Sequence, residues 1–293
     1  MYAITGITGR VGGELARTLL AEGKPVRAVL RDQAKAAPWA GQGCEVALAE
    51  MGDAAGLTRA FAGAEAVFIL LPPVFDPAPG YPESRRVIEA VTTALSVARP
   101  RKVVCLSTIG ADAGQDNLLS QLSLQEAALR QTGLPVTFLR PGWFMENALW
   151  DVAAARDEGV LHSFLQPPDK RFPMVATRDV GRTAADLIQQ HWTGTRVVEL
   201  EGPARVSPHD LAAAFARVLG QPVWVETVPR ETWEDLFRAQ GSRNPMPRMR
   251  MLDGFNEGWI EFRERGAWAV KGTTPLIEVI EGLVAATDAD AAA

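Results

Sequence analysis

Histidine, cysteine and tyrosine are scarce in this chain: three, two and two among 293 residues. That scarcity removes most ways of doing chemistry with side chains alone. Cys44 and Cys105 stand far apart and form no metal or redox motif, so a disulfide framework and a thiol-redox centre are both excluded. Both cysteines fall in strand-like segments and read as small buried hydrophobes. His162, His191 and His209 are scattered without metal-ligand spacing, and no metal is expected. No Gly-x-Ser-x-Gly elbow exists, which removes a serine hydrolase of that type. Long apolar runs are missing too. The longest, Ala66 to Leu71, ends in Pro72-Pro73 and is far too short to span a bilayer. Tyr2 to Thr5 runs straight into a glycine-rich turn with no basic leader or cleavage site, so a cytoplasmic location is expected. Nor is there a basic excess. Thirty Lys and Arg face 35 Asp and Glu, a net charge of −5, which argues against nucleic acid as a direct partner. The rest is ordinary for a folded protein, 47% hydrophobic and 22% charged. Any chemistry is then expected to rest on a bound cofactor.

What is present is a regular alternation. Tyr2–Thr5, Val26–Leu30, Glu45–Leu48, Val67–Leu71, Val103–Leu106 and Val136–Leu139 are short, rich in Val, Ile and Leu, and lack clean alternation. Strands covered on both faces read this way. Between them lie the helical stretches Val11–Glu22, Ala54–Phe61, Ser84–Ala98 and Leu118–Gln131. The repeat predicts an α/β fold, a parallel sheet flanked by helices. After Arg140 the pattern loosens. A helix is expected over Trp143–Arg156, irregular chain with short extended pieces over Gly159–Pro173, and a helix over Arg178–Gln190. Arg196–Leu200 is expected to return to the main sheet. Helix Pro208–Leu219, strand Val223–Val228, and helices Glu231–Gln240, Arg248–Glu264 and Thr274–Ala286 follow, with a frayed tail from Thr287. Residues 1–155, with 177–200 returning to them, make the expected nucleotide-binding domain. Residues 156–293 make a smaller α+β substrate domain. Seven of the eight tryptophans lie from Trp143 onward, packing a small core or lining an apolar cleft.

The most specific signal is Gly6-Ile7-Thr8-Gly9-Arg10-Val11-Gly12, set directly between the first strand and the first helix. Glycines at this spacing turn the chain tightly and let its backbone approach a pyrophosphate, which the helix N-terminus attracts. Gly6, Thr8, Gly9, Arg10, Val11 and Gly12 are therefore candidate cofactor ligands. The second strand ends Leu30-Arg31-Asp32, with Lys35 nearby. Arg31 at the tip suits the 2′-phosphate of NADP, with Lys35 beside it. Asp32 is the rival, since one step of register presents a carboxylate and favours NAD. NADP(H) is the preferred cofactor. Leu70, Leu71, Pro72, Ser107, Pro141 and Gly142 stand at carboxyl ends of strands, where ligands bind in open α/β sheets, and join the cofactor set.

These residues resemble the NmrA-like family of atypical short-chain dehydrogenases. The resemblance continues through Gly52-Asp53 with Phe61-Ala62-Gly63, Ser107-Thr108-Ile109-Gly110-Ala111, Thr132-Gly133-Leu134-Pro135, Leu139-Arg140-Pro141-Gly142-Trp143-Phe144-Met145-Glu146-Asn147 and Met174-Val175-Ala176-Thr177. It spans about two thirds of the chain and is nearest to bacterial NAD(P)H-dependent quinone, triphenylmethane-dye and azo-dye reductases. It implies a Rossmann-type domain and a smaller carboxyl-terminal substrate domain. Some members reduce small molecules; others bind the cofactor and act as redox-linked regulators.

One part of the short-chain pattern is missing. Alcohol dehydrogenation uses a Tyr with a Lys four residues on, yet no Tyr follows the fifth strand here. Tyr81 to Arg85 mimics the spacing from the wrong strand, with Pro82 expected to break the helix that would align the pair. Hydride transfer to a quinone, azo bond or dye needs no such donor, because water can supply the proton. The chain is thus expected to reduce a small quinonoid or aromatic acceptor, or else to bind NADP(H) without catalysis as a regulator. Ser107, Thr108 and Arg140 are the catalytic candidates, Arg140 either steadying an acceptor oxygen or serving a structural ion pair. Tyr81, Trp143, Phe144 and Asn147 are the substrate candidates. Glu126 reads as a solvated or structural helix carboxylate. A monomer or homodimer is expected.

Overall fold

The six short apolar runs are strands. In the computed structural model they are β1 (Tyr2–Thr5), β2 (Val26–Leu30), β3 (Glu45–Leu48), β4 (Ala66–Leu70), β5 (Lys102–Leu106) and β6 (Val136–Pro141). The structure describes residues 1–263 and 269–292. Helices α1 (Arg10–Ala21), α2 (Ala37–Gly41), α3 (Ala54–Phe61), α4 (Pro82–Ala98) and α5 (Ser120–Arg130) connect them. Strands β10 (Thr195–Glu201) and β12 (Ala269–Lys271) complete an eight-stranded sheet of order β12-β10-β6-β5-β4-β1-β2-β3. Every ladder from β3 through β6 is parallel. The expected Rossmann-type parallel sheet is borne out. The chain runs outward from β1 through β2 to β3, then crosses back to β4. That reversal lies between β1 and β4, the switch point at whose carboxyl ends ligands bind in open α/β sheets.

Two compact units divide the chain. The first comprises Met1–Asp112, Leu119–Arg140 and Val180–Val198. The second comprises Ala113–Leu118, Pro141–Asp179 and Glu199–Ala293. The chain crosses between units at Arg140–Pro141, and again at Asp179–Val180 and Val198–Glu199.

In the first unit, β1, β4 and β5 are almost entirely buried because helices cover both faces. Leu57, Phe61, Val91 and Leu95 from α3 and α4 pack with Val67, Val103 and Phe138 on one face. Helix α7 (Thr177–Gln189) meets α1 so closely that a Cβ on Gly181 would stand 2.8 Å from the Val11 carbonyl oxygen. Cys44 and Cys105 are free and buried, and burial lifts the Cys105 thiol well above its usual range.

The second unit departs more from expectation. Trp143–Arg156 is not one helix. It is β7 (Trp143–Phe144), a 3₁₀ segment Met145–Asp151, and α6 (Val152–Asp157). The Gly142 N–H donates to the Leu200 carbonyl at 2.9 Å and the Trp143 N–H to the Pro173 carbonyl at 2.9 Å. These bonds draw the chain out extended before a helix can start. One of the short extended pieces expected in Gly159–Pro173 is β8 (Val160–Ser163), which pairs in parallel with β11 (Trp224–Thr227). Strand β9 (Met174–Val175) pairs with β7. Helices α8 (Pro208–Leu219), α9 (Trp233–Ala239), α10 (Met246–Glu257) and α11 (Leu276–Ala292) follow. Gly258, at φ 89°, ends α10 earlier than expected, and Glu264 and Trp268 lie outside the described residues. The last helix continues to Ala292 instead of fraying from Thr287. Trp233 is completely buried against Phe164, so at least this tryptophan packs a core.

Candidate functional site

The glycine loop has a conformation that side chains would prevent. Gly6 has φ 61°, and a Cβ there would lie 2.5 Å from Leu70 Cδ2, so the end of β4 packs directly on the turn. A Cβ on Gly12 would lie 2.4 Å from the Gly6 carbonyl oxygen. Loop and helix therefore close on one another only with hydrogen at both positions. Helix α1 begins at Arg10 with extended Gly9 as its N-cap, with no side-chain cap and no acidic residue in its first turn. Thr8, Gly9 and Arg10 are exposed there. Among the described residues no side chain caps the positive end of this helix, and Arg10 adds a cation where the dipole disfavours one. An anion resolves both problems.

The neighbouring strand end adds a second cation. Arg31 is exposed at the tip of β2 and makes no hydrogen bond or ion pair among the described residues. Asp32, its rival, is already engaged: its Oδ1 accepts the Ala34 N–H at 2.9 Å and caps the short turn Gln33–Lys35. Lys35 is exposed at the end of that turn.

The ends of β5 and β6 hold a buried polar cluster. Ser107 Oγ donates to Glu126 Oε1 at 2.6 Å. Arg140 Nε donates to Glu126 Oε1 at 2.8 Å and Nη2 to Oε2 at 2.8 Å. Arg140 Nη1 also reaches Asp112 Oδ2 at 3.1 Å. Ser107, Glu126 and Arg140 are all buried. Burial opposes the Arg140 charge, but the hydrogen bonds and charges of Glu126 and Asp112 outweigh it and raise its pKa. The guanidinium is thus engaged in a buried ion pair with Glu126 and Asp112, the structural alternative expected for it. Ser107 likewise directs its hydroxyl hydrogen bond to Glu126, while the neighbouring Thr108 is half-buried. Glu126 is the centre of the cluster. It stands 19 residues from Ser107 and 14 from Arg140, spacings that carry no sequence signal.

Tyr81 is buried, in a left-handed conformation at φ 57° immediately before α4. Pro82 begins that helix instead of breaking it, as the first helical position tolerates. Leu70 and Pro72 are half-buried and Leu71 buried.

Pro141, Gly142, Trp143, Phe144 and Asn147 belong to the second unit. A Cβ on Gly142 would stand 2.4 Å from the Pro173 carbonyl oxygen. Trp143 meets Phe255 edge-on, their ring centroids 5.3 Å apart. Asn147 is exposed, and Glu146 accepts the Thr177 N–H and hydroxyl at the start of α7. In the same unit, burial pushes the Asp151 carboxyl up to about 7. A carboxyl that binds its proton more tightly when folded supports the fold most at low pH. That support is lost as pH rises from about 4 through about 7. Asp151→Asn should therefore stabilise the protein at pH 8, by about 2 kcal/mol after discounting for partial exposure, and leave it unchanged at pH 4. Urea unfolding at the two pH values checks this; equal shifts at both would refute it.

A family model described as NAD(P)H-binding matches residues 6–191. The chain belongs to this NAD(P)H-binding family. It is 32% identical over 228 residues to a (4-alkanoyl-5-oxo-2,5-dihydrofuran-3-yl)methyl phosphate reductase of Streptomyces griseus, covering 77% of this chain and 76% of the relative. It is 26% identical over 258 residues to an NAD(P)H azoreductase of Xenophilus azovorans, covering 88% and 85%. A crystal structure of an NADPH-dependent quinone oxidoreductase from Escherichia coli, complexed with NADPH, superposes with a TM-score of 0.80 at 25% identity. That match covers 97% of this chain and 99% of the other.

The residues present fit the cofactor of an NAD(P)H-binding protein. The cradle at Gly6 and Gly12 admits backbone and nothing larger. The uncapped start of α1 offers N–H donors to a pyrophosphate, and Arg10 and Arg31 supply charge. Among the described residues no cluster of His, Cys, Asp or Glu is arranged to hold a metal, and no helix is long and apolar enough to cross a membrane.

Proposed function

We propose that this NAD(P)H-binding protein is an NADP(H)-preferring reductase that passes hydride to a small quinonoid or aromatic acceptor without a Tyr/Lys pair. The observation that carries the cofactor preference is Arg31, exposed and unpaired at the tip of β2 while Asp32 caps its own turn. A free guanidinium there recognises a 2′-phosphate; a carboxylate engaged with its own backbone is poorly placed to hold ribose hydroxyls. The reductase reading is supported by relatives named as an azoreductase, a quinone oxidoreductase and the (4-alkanoyl-5-oxo-2,5-dihydrofuran-3-yl)methyl phosphate reductase.

Bound NADPH supplies the hydride, and NADPH, a proton and a quinone become NADP⁺ and a hydroquinone. The chain's own part is to bind and orient. The glycine loop and α1 take the pyrophosphate, and Arg31 with Lys35 takes the 2′-phosphate. Glu126 and Arg140 act as positioning residues, holding Ser107 and Asp112 at the end of β5. The acceptor anion is stabilised by its own conjugation, so water completes the protonation and no phenol is required. Helix α5 carries neither Tyr nor Lys, in keeping with such an acceptor.

Purified protein should accelerate NADPH oxidation by a panel of quinones and azo or triphenylmethane dyes. Cofactor binding with no turnover on any of them would refute the reductase and favour a redox-linked regulator. Arg31→Ala should weaken NADPH binding by about 10- to 100-fold and NADH by less than about threefold, the loss of one charge-assisted contact. Equal losses for both cofactors would rule out the role given to Arg31.

A further inference from the structure

Between β4 and α4 runs Leu71-Pro72-Pro73-Val74-Phe75-Asp76-Pro77-Ala78-Pro79-Gly80-Tyr81. Four of these eleven residues are prolines, which fix φ and leave the backbone little freedom. Both ends are tied down. Gln121 Nε2 donates to the Val74 carbonyl at 3.1 Å, and the Gln121 carbonyl accepts the Ser84 hydroxyl at 2.6 Å. The Tyr81 N–H returns to the Ala78 carbonyl at 3.0 Å, and Arg85 Nε holds the Gly80 carbonyl at 2.8 Å. Leu71, Pro77 and Tyr81 are buried. From this stiff, anchored loop Phe75 stands out with 70% of its surface exposed.

Its place in the sheet says to what. Strand β4 lies between β1 and β5 with parallel pairing on both sides, so all three open at the same edge. There β1 delivers the glycine loop, β5 delivers Ser107 and Thr108, and Leu70 packs on Gly6. The loop bearing Phe75 therefore leaves the sheet at the cofactor edge, all of it within the first unit. We propose that Phe75 is a preset aromatic platform on which the planar ring of the acceptor stacks, making it a specificity-determining residue that favours polycyclic over monocyclic acceptors. Stacking gains from ring overlap, and the backbone that carries the ring is already ordered by the loop.

This assignment rests on the reductase reading above, so its test separates the two. NADP⁺-saturated protein is titrated by calorimetry with anthraquinone-2-sulfonate and with duroquinone, alongside the NADPH oxidation assay. Phe75→Ala should weaken anthraquinone-2-sulfonate about tenfold, change duroquinone by less than about threefold, and leave NADP⁺ affinity unchanged. Phe75→Trp should restore tight binding and Phe75→Leu should not. Unchanged anthraquinone affinity in Phe75→Ala, rescue by Leu as complete as by Trp, or no binding to the wild-type protein would each overturn the platform. Wild-type binding that depends on Phe75 but brings no turnover would support the platform and refute the reductase.

Discussion

Gly12→Ala should cut NADPH affinity by at least about 100-fold. The new methyl group meets the Gly6 carbonyl oxygen at 2.4 Å, a contact with backbone that no rotamer change relieves. Either the loop moves off the helix or α1 shifts at its first turn. Both displace the N–H groups offered to the pyrophosphate, and losing two charge-assisted hydrogen bonds costs about 3–5 kcal/mol. The fold should survive, because the strain is confined to one turn at the sheet edge. Gly41→Ala is the matched control: a Cβ there meets nothing within 4 Å. Fluorescence titration with NADPH, with thermal melting beside it, tests the pair. Affinity in Gly12→Ala within threefold of wild type would refute the cradle.

Glu126→Ala should destabilise the protein by about 3–5 kcal/mol, because it strands the buried Arg140 charge with only Asp112 for company. Ser107 also loses the acceptor of its hydroxyl. Removing both partners is expected to cost much less, since a buried ion pair replaced by apolar groups of similar volume often comes out near neutral. Glu126→Leu with Arg140→Met should thus recover most of what Glu126→Ala loses. Urea unfolding of the singles and the double, read as a mutant cycle, decides. A single-mutant loss below about 1 kcal/mol would mean the cluster is a solvated surface arrangement.

Much of the nucleotide-binding half was legible in the sequence. The predicted limits of β1, β2 and β3 match the observed ones residue for residue, and those of β4 and β5 within one. Short apolar runs bounded by turn residues leave a strand few places to begin or end. The glycine loop was equally plain, because its requirement is steric and local: Gly6 and Gly12 must lack a Cβ for reasons within one turn of chain. The stretch from Trp143 to Arg156 was not legible, although α7, β10, α8 and β11 beyond it were. Trp143 has helical neighbours in sequence, yet its N–H bonds to Pro173, thirty residues on. Pro82 misled as well, since a proline breaks a helix interior but fits its first position.

The roles of single charged residues divide along the same line. Arg31 was chosen from its place at a strand tip, and the structure leaves it there, exposed and unpaired. Arg140 also ends a strand, but its guanidinium turns to Glu126 and Asp112. Local pattern was enough for the alternation of strand and helix and for the tight glycine turn, because each depends on neighbours along the chain. Packing alone decided which carboxylate Arg140 would meet, where Ser107 would direct its hydroxyl hydrogen bond and which ring the proline loop would hold out to solvent. Those pairings join residues brought together only when the sheet and α5 close around them, and burial then makes an unpaired charge too costly to leave free.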